Sequence, residues 1–216
     1  SRTDAGVHAE CQIASVLVPA NVNLNRFFVS INSLLPDDIS IFDLIEVPLD
    51  YSIRKENRSK RYHYRIMRAP VPRLNEFERS IWLRNPIDMK LVKEGSMKFI
   101  GKHDFSAFRG KGCQQPNPEK TITSVDICTT ECVDYEMHHI TVEGSGFLKN
   151  MVRIMVGTLI DIGQKRLPVQ CIEKALLSGE RNDAGGTAPA KGLTLEKIEF
   201  EKDPFKLREM STWETS

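Results

Sequence analysis

The segment from Phe147 to Gly163, FLKNMVRIMVGTLIDIG, constrains the fold more than any other feature of this chain. Its spacing predicts a helix with apolar residues on nearly all sides through Ile162, so we expect it to be buried in the core. Arg153 lies well inside this segment. A buried guanidinium needs a carboxylate or carbonyl partner, because an unpaired buried charge is very costly. The alternative is an arginine whose charged end reaches the surface.

The rest of the chain mixes strand and helix patterns. Alternating apolar and polar residues predict strands at Cys11–Pro19, Ile39–Val47, Arg61–Met67, Ser80–Leu83, Ile122–Thr129, Met137–Glu143 and Leu193–Phe200. Helical spacing predicts helices at Asn25–Leu35, Met89–Ile100 and Val169–Gly179, the last ended by its glycine. A long irregular loop is expected from His103 to Lys120. Helices that return onto mostly antiparallel strands indicate an α+β sandwich.

We place a boundary between two lobes near Glu56, where a polar, basic stretch precedes an alternating one. The predicted organisation is a first lobe at 1–56, a second lobe at 57–200 and a variable tail at 201–216.

The formal net charge of +1 hides an uneven distribution of charge. Residues 1–50 carry 2 basic and 7 acidic residues, whereas residues 51–120 carry 17 basic and 7 acidic residues, a local excess of +10. Such an excess is typical of a surface that binds phosphates. Ordinary solvated lysines and arginines are the alternative, and the counts alone do not separate the two.

The cysteines and hydropathy bear on compartment and metal binding. The five cysteines form no CxxC pair, and Cys128 and Cys132 fall on a predicted hairpin whose neighbours point to opposite faces. We therefore expect reduced thiols, no metal site, and a cytoplasmic protein, or an organellar one in a eukaryote. No apolar run has the length of a membrane span.

The first residues, from Arg2 to Ala9, read RTDAGVHA and predict a tight loop that presents the carboxylate of Asp4. Asp4 is a candidate nucleophile or general base. The plainer interpretation is an aspartate that caps a turn. If the buried Arg153 pairs with a loop carboxylate, Asp4 is an attractive partner, since the pair would keep the acid ionised.

The stretch Lys60–Arg65, KRYHYR, places Tyr62 and Tyr64 on one face of a strand. Aromatic rings beside cations can stack on bases while the cations contact phosphates. Tyrosines that face the core and arginines that face water would give the same periodicity.

Two loops add further candidates. GKHDFSAFR combines His103 and Phe105 with flanking cations, including Arg109, and suggests contact with an RNA backbone rather than a metal pair. GGTAPAKGL lacks the Lys-Ser/Thr ending of a phosphate-binding loop, and it places Leu193 where it can touch the contents of a cleft.

Six motifs, in order, resemble the TruA family of tRNA pseudouridine synthases, in its bacterial and organellar form. They are RTDAGVHA, KRYHYRI, GKHDFSAF, EKTI, GSGFLKNMVRIMVGTLIDIG and GGTAPAKGLTL. The resemblance extends from Ser1 to about Phe200. It implies the pseudouridine synthase fold: two ferredoxin-like lobes around a mixed, mostly antiparallel sheet, with a basic cleft between them. It also implies a homodimer that needs no metal or organic cofactor and binds the anticodon arm of tRNA, where the family modifies uridines 38, 39 and 40.

The resemblance also implies roles for single residues. Asp4 would be the catalytic aspartate, Arg153 its partner, and Tyr62 the ring that stacks on the uracil and a candidate base at C5. Arg2 would help to displace the target nucleotide, and Leu193 would pack against the uracil. We expect substrate contacts also from the basic and loop residues Lys60, Arg61, His103, Phe105 and Arg109.

Two departures from the family pattern stand out. Relatives carry several dozen residues before the aspartate loop, so we expect a fragment whose first lobe lacks its N-terminal strand and helix and has an exposed sheet edge. Lys149 stands where many relatives have an aromatic residue. The sequence therefore predicts a pseudouridine synthase, and a catalytically impaired fragment that only binds tRNA is the alternative.

Overall fold

A computed structural model describes residues 2–205, and in this range seven strands form one sheet. They are β1 (His8–Ala9), β2 (Asn57–Arg68), β3 (Ile81–Leu83), β4 (Gly101–Asp104), β5 (Glu119–Glu131), β6 (Glu136–Gly144) and β7 (Leu193–Phe200). Their order is β1-β7-β2-β6-β5-β4, and β3 pairs with β2 beside this path. Strands β2, β6, β5 and β4 are joined antiparallel, whereas β1–β7 and β2–β3 are parallel. The predicted α+β class with a mixed, mostly antiparallel sheet is confirmed.

The helices are α1 (Leu24–Leu34), α2 (Ile53–Glu56), α3 (Leu74–Phe77), α4 (Met89–Met97), α5 (Met151–Gly163) and α6 (Cys171–Ser178). The predicted helices are confirmed as α1, α4, α5 and α6. Helix α6 ends at Gly179, whose φ of 71° is the left-handed conformation that a glycine cap adopts readily. Short 3₁₀ turns lie at Ser106–Phe108, Arg181–Asp183 and Ala190–Gly192.

Helix α5 is the buried helix that its sequence predicts. Every residue of it is buried except Arg153 and Asp161. A Cβ placed on Gly157 would lie 1.9 Å from the carbonyl oxygen of Gly186, so the helix packs backbone to backbone against the loop that precedes β7. Only glycine allows this approach. The position of α5 therefore also fixes the loop that leads to Leu193.

The chain divides into two compact units. Of the described residues, one unit contains Ile13–Asn57 with 200–205, and the other contains Arg2–Gln12 with Arg58–Glu199. In the second unit the sheet and α5 enclose the core. In the first, none of the residues 13–57 is buried, and its regular elements are α1 and α2.

Three predicted segments differ from the structure. Cys11–Pro19 and Ile39–Val47 are irregular rather than strands. Both segments alternate apolar and polar residues, but a strand needs a neighbour to accept its backbone hydrogen bonds. The Cys11 amide donates to the Leu195 carbonyl of β7 at 3.4 Å, and beyond this contact no strand in residues 2–205 pairs with either segment. The third is the predicted irregular loop at 103–120, which instead contributes its first residues to β4 and a 3₁₀ turn, and its last residues to β5. The greater part of the predicted tail, 206–216, lies outside the described residues.

Candidate active site

Asp4 lies on a tight turn that runs into the edge of the sheet. The turn is closed by the amide of Val7, which donates to the carbonyl of Asp4 at 3.1 Å. Gly6 has a φ of 76° and approaches Ala190 so closely that a Cβ on Gly6 would lie 3.4 Å from the Ala190 Cβ. Strand β1 then pairs with the start of β7. These contacts present Asp4 beside the first residues of β7.

The N-terminus of α5 meets the Asp4 carboxylate. The backbone amide of Asn150 donates to Oδ2 of Asp4 at 3.3 Å. Asn150 is the N-cap residue of α5. The partial positive charge at a helix N-terminus favours contact with a negatively charged group, and the Asp4 side chain makes its hydrogen bond at this terminus.

Arg153 is held one helical turn further on. Its Nε donates to the carbonyl of Ala188 at 2.8 Å, and its Nη1 donates to Oδ1 of Asn150 at 3.0 Å. The Ala188 amide in turn donates to the carbonyl of Arg153 at 3.0 Å. No ion pair joins Arg153 to Asp4 within residues 2–205. The Arg153 side chain thus binds a carbonyl and a carboxamide rather than the expected Asp4 carboxylate, and Asn150 makes a hydrogen bond to each of the two residues.

Tyr62 and Tyr64 on β2 belong to the same region, and we call the face of β2 that bears them and Ile66 the site face. Tyr62 is 8% exposed and its ring meets Phe147 edge-on, with centroids 5.1 Å apart. Burial, and then the charge of Asp4, raise the pKa of Tyr62 to about 12. The phenol is therefore protonated at neutral pH. Tyr64 is fully buried and donates its hydroxyl to the Pro189 carbonyl at 2.7 Å, and burial raises its pKa.

The opposite side of β2, bearing Arg61, His63 and Arg65, is the polar face. Arg61 donates to one carboxylate oxygen of Glu143 through Nε at 3.1 Å and through Nη2 at 2.9 Å. His63 and His139 stack with a 2.8 Å contact between Nε2 and Nδ1, and burial lowers the pKa of both. Arg61, expected to contact substrate, is engaged by a carboxylate. Lys60, half-buried, precedes it on the same strand.

Many cations of the basic segment are matched by acids in the same way. Ion pairs join Arg61 to Glu143, Arg65 to Glu76, Arg68 to Glu136, Arg73 to Asp134, Lys98 to Glu173 and Lys102 to Glu119. Four of these six acids come from beyond residue 120. The local excess of +10 in the sequence is therefore partly neutralised by the folding of the chain itself.

The loop residues expected to contact substrate also make contacts within the protein. Phe105 has no exposed surface and packs with Phe99 and Phe108, so the expectation that it touches RNA is wrong. Its side chain belongs to the core because the 3₁₀ turn folds it inward. His103 contacts the Ile100 carbonyl through Nε2 at 3.0 Å. Arg109 donates to the carbonyls of the loop that follows it, at 2.7 Å and 2.5 Å.

Arg2 and Leu193 flank the site. Arg2 is exposed two residues before Asp4, and Leu193, 5% exposed, begins β7. Among residues 2–205, no cluster of His, Cys, Asp or Glu could hold a metal ion, and no helix is long and apolar enough to cross a bilayer.

The sequence did not single out Asn150 or the carbonyls of Ala188 and Pro189. Backbone carbonyls leave no residue-type signal. Asn150 did leave one, since an asparagine directly before an apolar helix is typical of an N-cap.

Comparisons with known proteins agree on one family. Residues 96–201 match the family described as tRNA pseudouridine synthase. The tRNA pseudouridine synthase A of Myxococcus xanthus is 36% identical over 207 residues, which are 94% of this chain and 76% of that protein. The protein of the same name from Geotalea uraniireducens is 38% identical over 201 residues, 91% of this chain and 79% of its own.

Proposed function

The chain belongs to the tRNA pseudouridine synthase family, and from this premise we propose that it isomerises uridine to pseudouridine in tRNA. The finer assignment follows the sequence resemblance: the targets are uridines 38, 39 and 40 of the anticodon arm, and the enzyme acts as a homodimer. Asp4 is the catalytic group.

The observation that carries the proposal is the setting of Asp4. Its carboxylate accepts a hydrogen bond at the N-terminus of α5, and Tyr62 lies close enough for the Asp4 charge to raise its pKa. Arg153 is tied to Asn150, the residue that donates to Asp4. A carboxylate, a ring with a protonated hydroxyl and a cation thus occupy one region of the second unit.

The reaction needs little more than these groups. The bond between C1′ and N1 of the nucleotide breaks, the uracil turns, and a bond forms between C5 and C1′. The proton leaves C5 and N1 becomes protonated, so the isomerisation is redox-neutral and no atom is consumed. Asp4 acts as the nucleophile on a flipped-out base, and the bond that it forms to the nucleotide breaks again before the product leaves, so the carboxylate is regenerated.

Tyr62 and Leu193 supply contact surface for the uracil. Both are nearly buried, at 8% and 5% exposure, so their remaining surface is the part that a flipped base can cover. Unstacking a base costs a few kcal/mol, which aromatic and phosphate contacts can offset. Because the Tyr62 pKa is about 12, its hydroxyl is neutral when the uracil binds and provides contact surface. If it also acts as the base that takes the proton from C5, it must give up its own proton in the same step.

The test is release of tritium from C5 of labelled uridine in a tRNA anticodon arm, with the unmodified chain and Asp4→Ala measured in parallel. The unmodified chain is expected to release tritium, and Asp4→Ala to fall by at least about a thousandfold while still binding tRNA, as for loss of a covalent catalyst. Asp126→Asn is the matched control, because Asp126 is an exposed carboxylate on β5. It should keep the full rate.

Equal release from the unmodified chain and Asp4→Ala would remove Asp4 from the chemistry. No release from either, with tRNA binding retained, would favour the alternative of a catalytically impaired tRNA-binding module.

A further inference from the structure

Two motif residues with no part in the proposed chemistry, His8 and Lys191, contact the same short segment. Nε2 of His8 donates to the Glu78 carbonyl at 2.9 Å, because a carbonyl can only accept. Nζ of Lys191 lies over the Phe77 ring, 3.3 Å from its centroid, which is a cation–π contact. Both contacts fall within the segment Arg73–Ser80, which contains α3 and which we call the strap.

The strap is held by side-chain contacts rather than by burial. Helix α3 has four residues, none of them buried, and a helix of this length is not stable by itself. Arg73 binds Asp134 at 2.9 Å, Glu76 binds Arg65, and the Ser80 hydroxyl donates to the Glu76 carbonyl at 2.7 Å. Because several contacts anchor the strap, loss of any one of them leaves the others to hold it.

The two loops that the strap contacts carry the site residues Asp4 and Leu193. The loops also meet each other, since a Cβ on Gly6 would lie 3.4 Å from the Cβ of Ala190. Strand β1 continues the aspartate loop and pairs with β7, but it has only two residues. So short a pairing leaves the aspartate loop weakly held unless other contacts support it.

We propose that the strap positions the two loops relative to each other, with His8, Phe77 and Lys191 as the positioning residues. The inference rests on the proposed function, because the placement of Asp4 relative to Leu193 matters for turnover only if both meet the same uracil. A displacement of about 1 Å can lower the rate of a reaction about a hundredfold, so contacts outside the site can control turnover.

His8→Asn and His8→Gln in the full chain test the first contact. Glutamine reaches about as far as the imidazole Nε2 and keeps an N–H donor, whereas asparagine is one carbon shorter and loses the Glu78 carbonyl. We expect kcat for tritium release to fall about threefold to tenfold in His8→Asn, the size of a lost hydrogen bond, with KM unchanged. His8→Gln should keep most of kcat. Wild-type kcat in His8→Asn, or equal losses in the two variants, would overturn the role of His8.

Lys191→Met and Phe77→Leu remove the second contact from either side. Each should lower kcat about twofold to fivefold, the strength of a cation–π contact near the surface, with KM unchanged. Lys191→Arg should keep the rate, because a guanidinium also binds an aromatic face. The double variant of Phe77→Leu and Lys191→Met should be no slower than either single variant, since both changes remove one contact. Additive losses would contradict this role.

Amide hydrogen exchange follows the two loops without reference to the reaction. The Val7 amide donates to the Asp4 carbonyl and reports on the aspartate loop. The Leu193 amide donates to the Ala190 carbonyl and reports on the loop before β7. Local opening of either loop makes its amide exchange faster.

Exchange at Val7 should be about threefold to tenfold faster in His8→Asn and unchanged in His8→Gln. Exchange at Leu193 should be about twofold to fivefold faster in Lys191→Met and unchanged in Lys191→Arg. Lys90→Met, at an exposed lysine of α4, is the matched control and should change neither kcat nor exchange. If neither the unmodified chain nor any variant releases tritium, the proposed function fails, but these changes in exchange still support the strap. Unchanged exchange in both His8→Asn and Lys191→Met contradicts it.

Discussion

The two faces of β2 differ in residue type and in surroundings. On the site face, Tyr62 and Tyr64 are almost fully buried, next to Asp4 and the Pro189 carbonyl. On the polar face, Arg61 and Arg65 are half-buried and paired with Glu143 and Glu76. The polar face carries its own cations, whereas the site face lies in the same region as Arg153 of α5 and as Asp4, which is bound at the N-terminus of that helix.

The difference shows that the neighbours of a residue decide its role more than its type does. Arg61 and Arg153 are both guanidiniums that make more than one hydrogen bond. Arg61 binds a carboxylate that neutralises it, whereas Arg153 binds two neutral oxygens and keeps its charge. We therefore expect substitutions on the site face to change turnover, and substitutions on the polar face to change at most stability.

Among substitutions that distinguish the surroundings of the two faces, replacement of Arg153 should reduce the rate of tritium release most. In Arg153→Met the rate of tritium release should fall by about a hundredfold to a thousandfold, since a fixed positive charge in the site is lost. Arg153→Lys should recover only part of this, because an ammonium cannot reach both acceptors in the plane of a guanidinium. Full turnover in Arg153→Met would show that Arg153, like Arg61, is not needed for the reaction.

Replacing Tyr62 should reduce the rate of tritium release by an intermediate amount, which depends on whether the aromatic ring is kept. Tyr62→Phe keeps the edge-on contact with Phe147, so its rate should fall less than about tenfold, whereas Tyr62→Ala should also lose about 3 kcal/mol of unfolding free energy through the cavity left. Urea unfolding and tritium release measure the two effects. Equal losses of rate in Tyr62→Phe and Tyr62→Ala would instead make the hydroxyl the active group.

The raised pKa of Tyr62 also gives the Tyr62→Phe comparison a pH dependence. A pKa of about 12 in the folded chain, above the ordinary value of 10.0, means that the stability from the protonated phenol is complete below pH 10.0 and lost as pH rises towards 12. Tyr62→Phe should flatten this alkaline fall. A fall that is unchanged in the variant would place the titrating group elsewhere.

Replacing Arg61 should have the smallest effect. Arg61 is 38% exposed as a side chain and Glu143 is 19% exposed, and pairs of this kind contribute about 1 kcal/mol or less. Arg61→Met should therefore lower the unfolding free energy by no more than this amount and leave the rate of tritium release unchanged. A large loss of rate with normal stability would mean that Arg61 contacts the substrate after all.

The fold could be predicted where the sequence pattern and the packing depend on the same residues. Helix α5 and the β5–β6 hairpin could be predicted from the spacing of their apolar residues. This spacing indicates burial on nearly all sides of the helix and on one face of the hairpin. The segments Cys11–Pro19 and Ile39–Val47 have equally clear alternation and are not strands, because alternation shows which side could be buried but not whether a neighbouring strand exists.

The sequence singled out titratable residues of the candidate site but not its backbone groups. Asp4, Tyr62 and Arg153 stand out by type and motif. The Ala188 carbonyl does not stand out in the sequence, because every residue has a backbone carbonyl. Phe105 was misjudged because an aromatic ring in a basic loop gives the same pattern whether it faces RNA or, as here, the core.

Asp4, in the same region as the site face of β2, is the catalytic group that we propose, and single-turnover tritium release from Asp4→Asn and Arg61→Met, measured side by side, tests this proposal most directly. Asparagine keeps the shape of Asp4 and can still accept the Asn150 amide, but it is not a nucleophile. Asp4→Asn should release no tritium above background while binding tRNA, and Arg61→Met should release it at the wild-type rate. Tritium release from Asp4→Asn at the wild-type rate would contradict the catalytic role of Asp4. Loss of tritium release in a stably folded Arg61→Met would contradict the expected difference between the two faces.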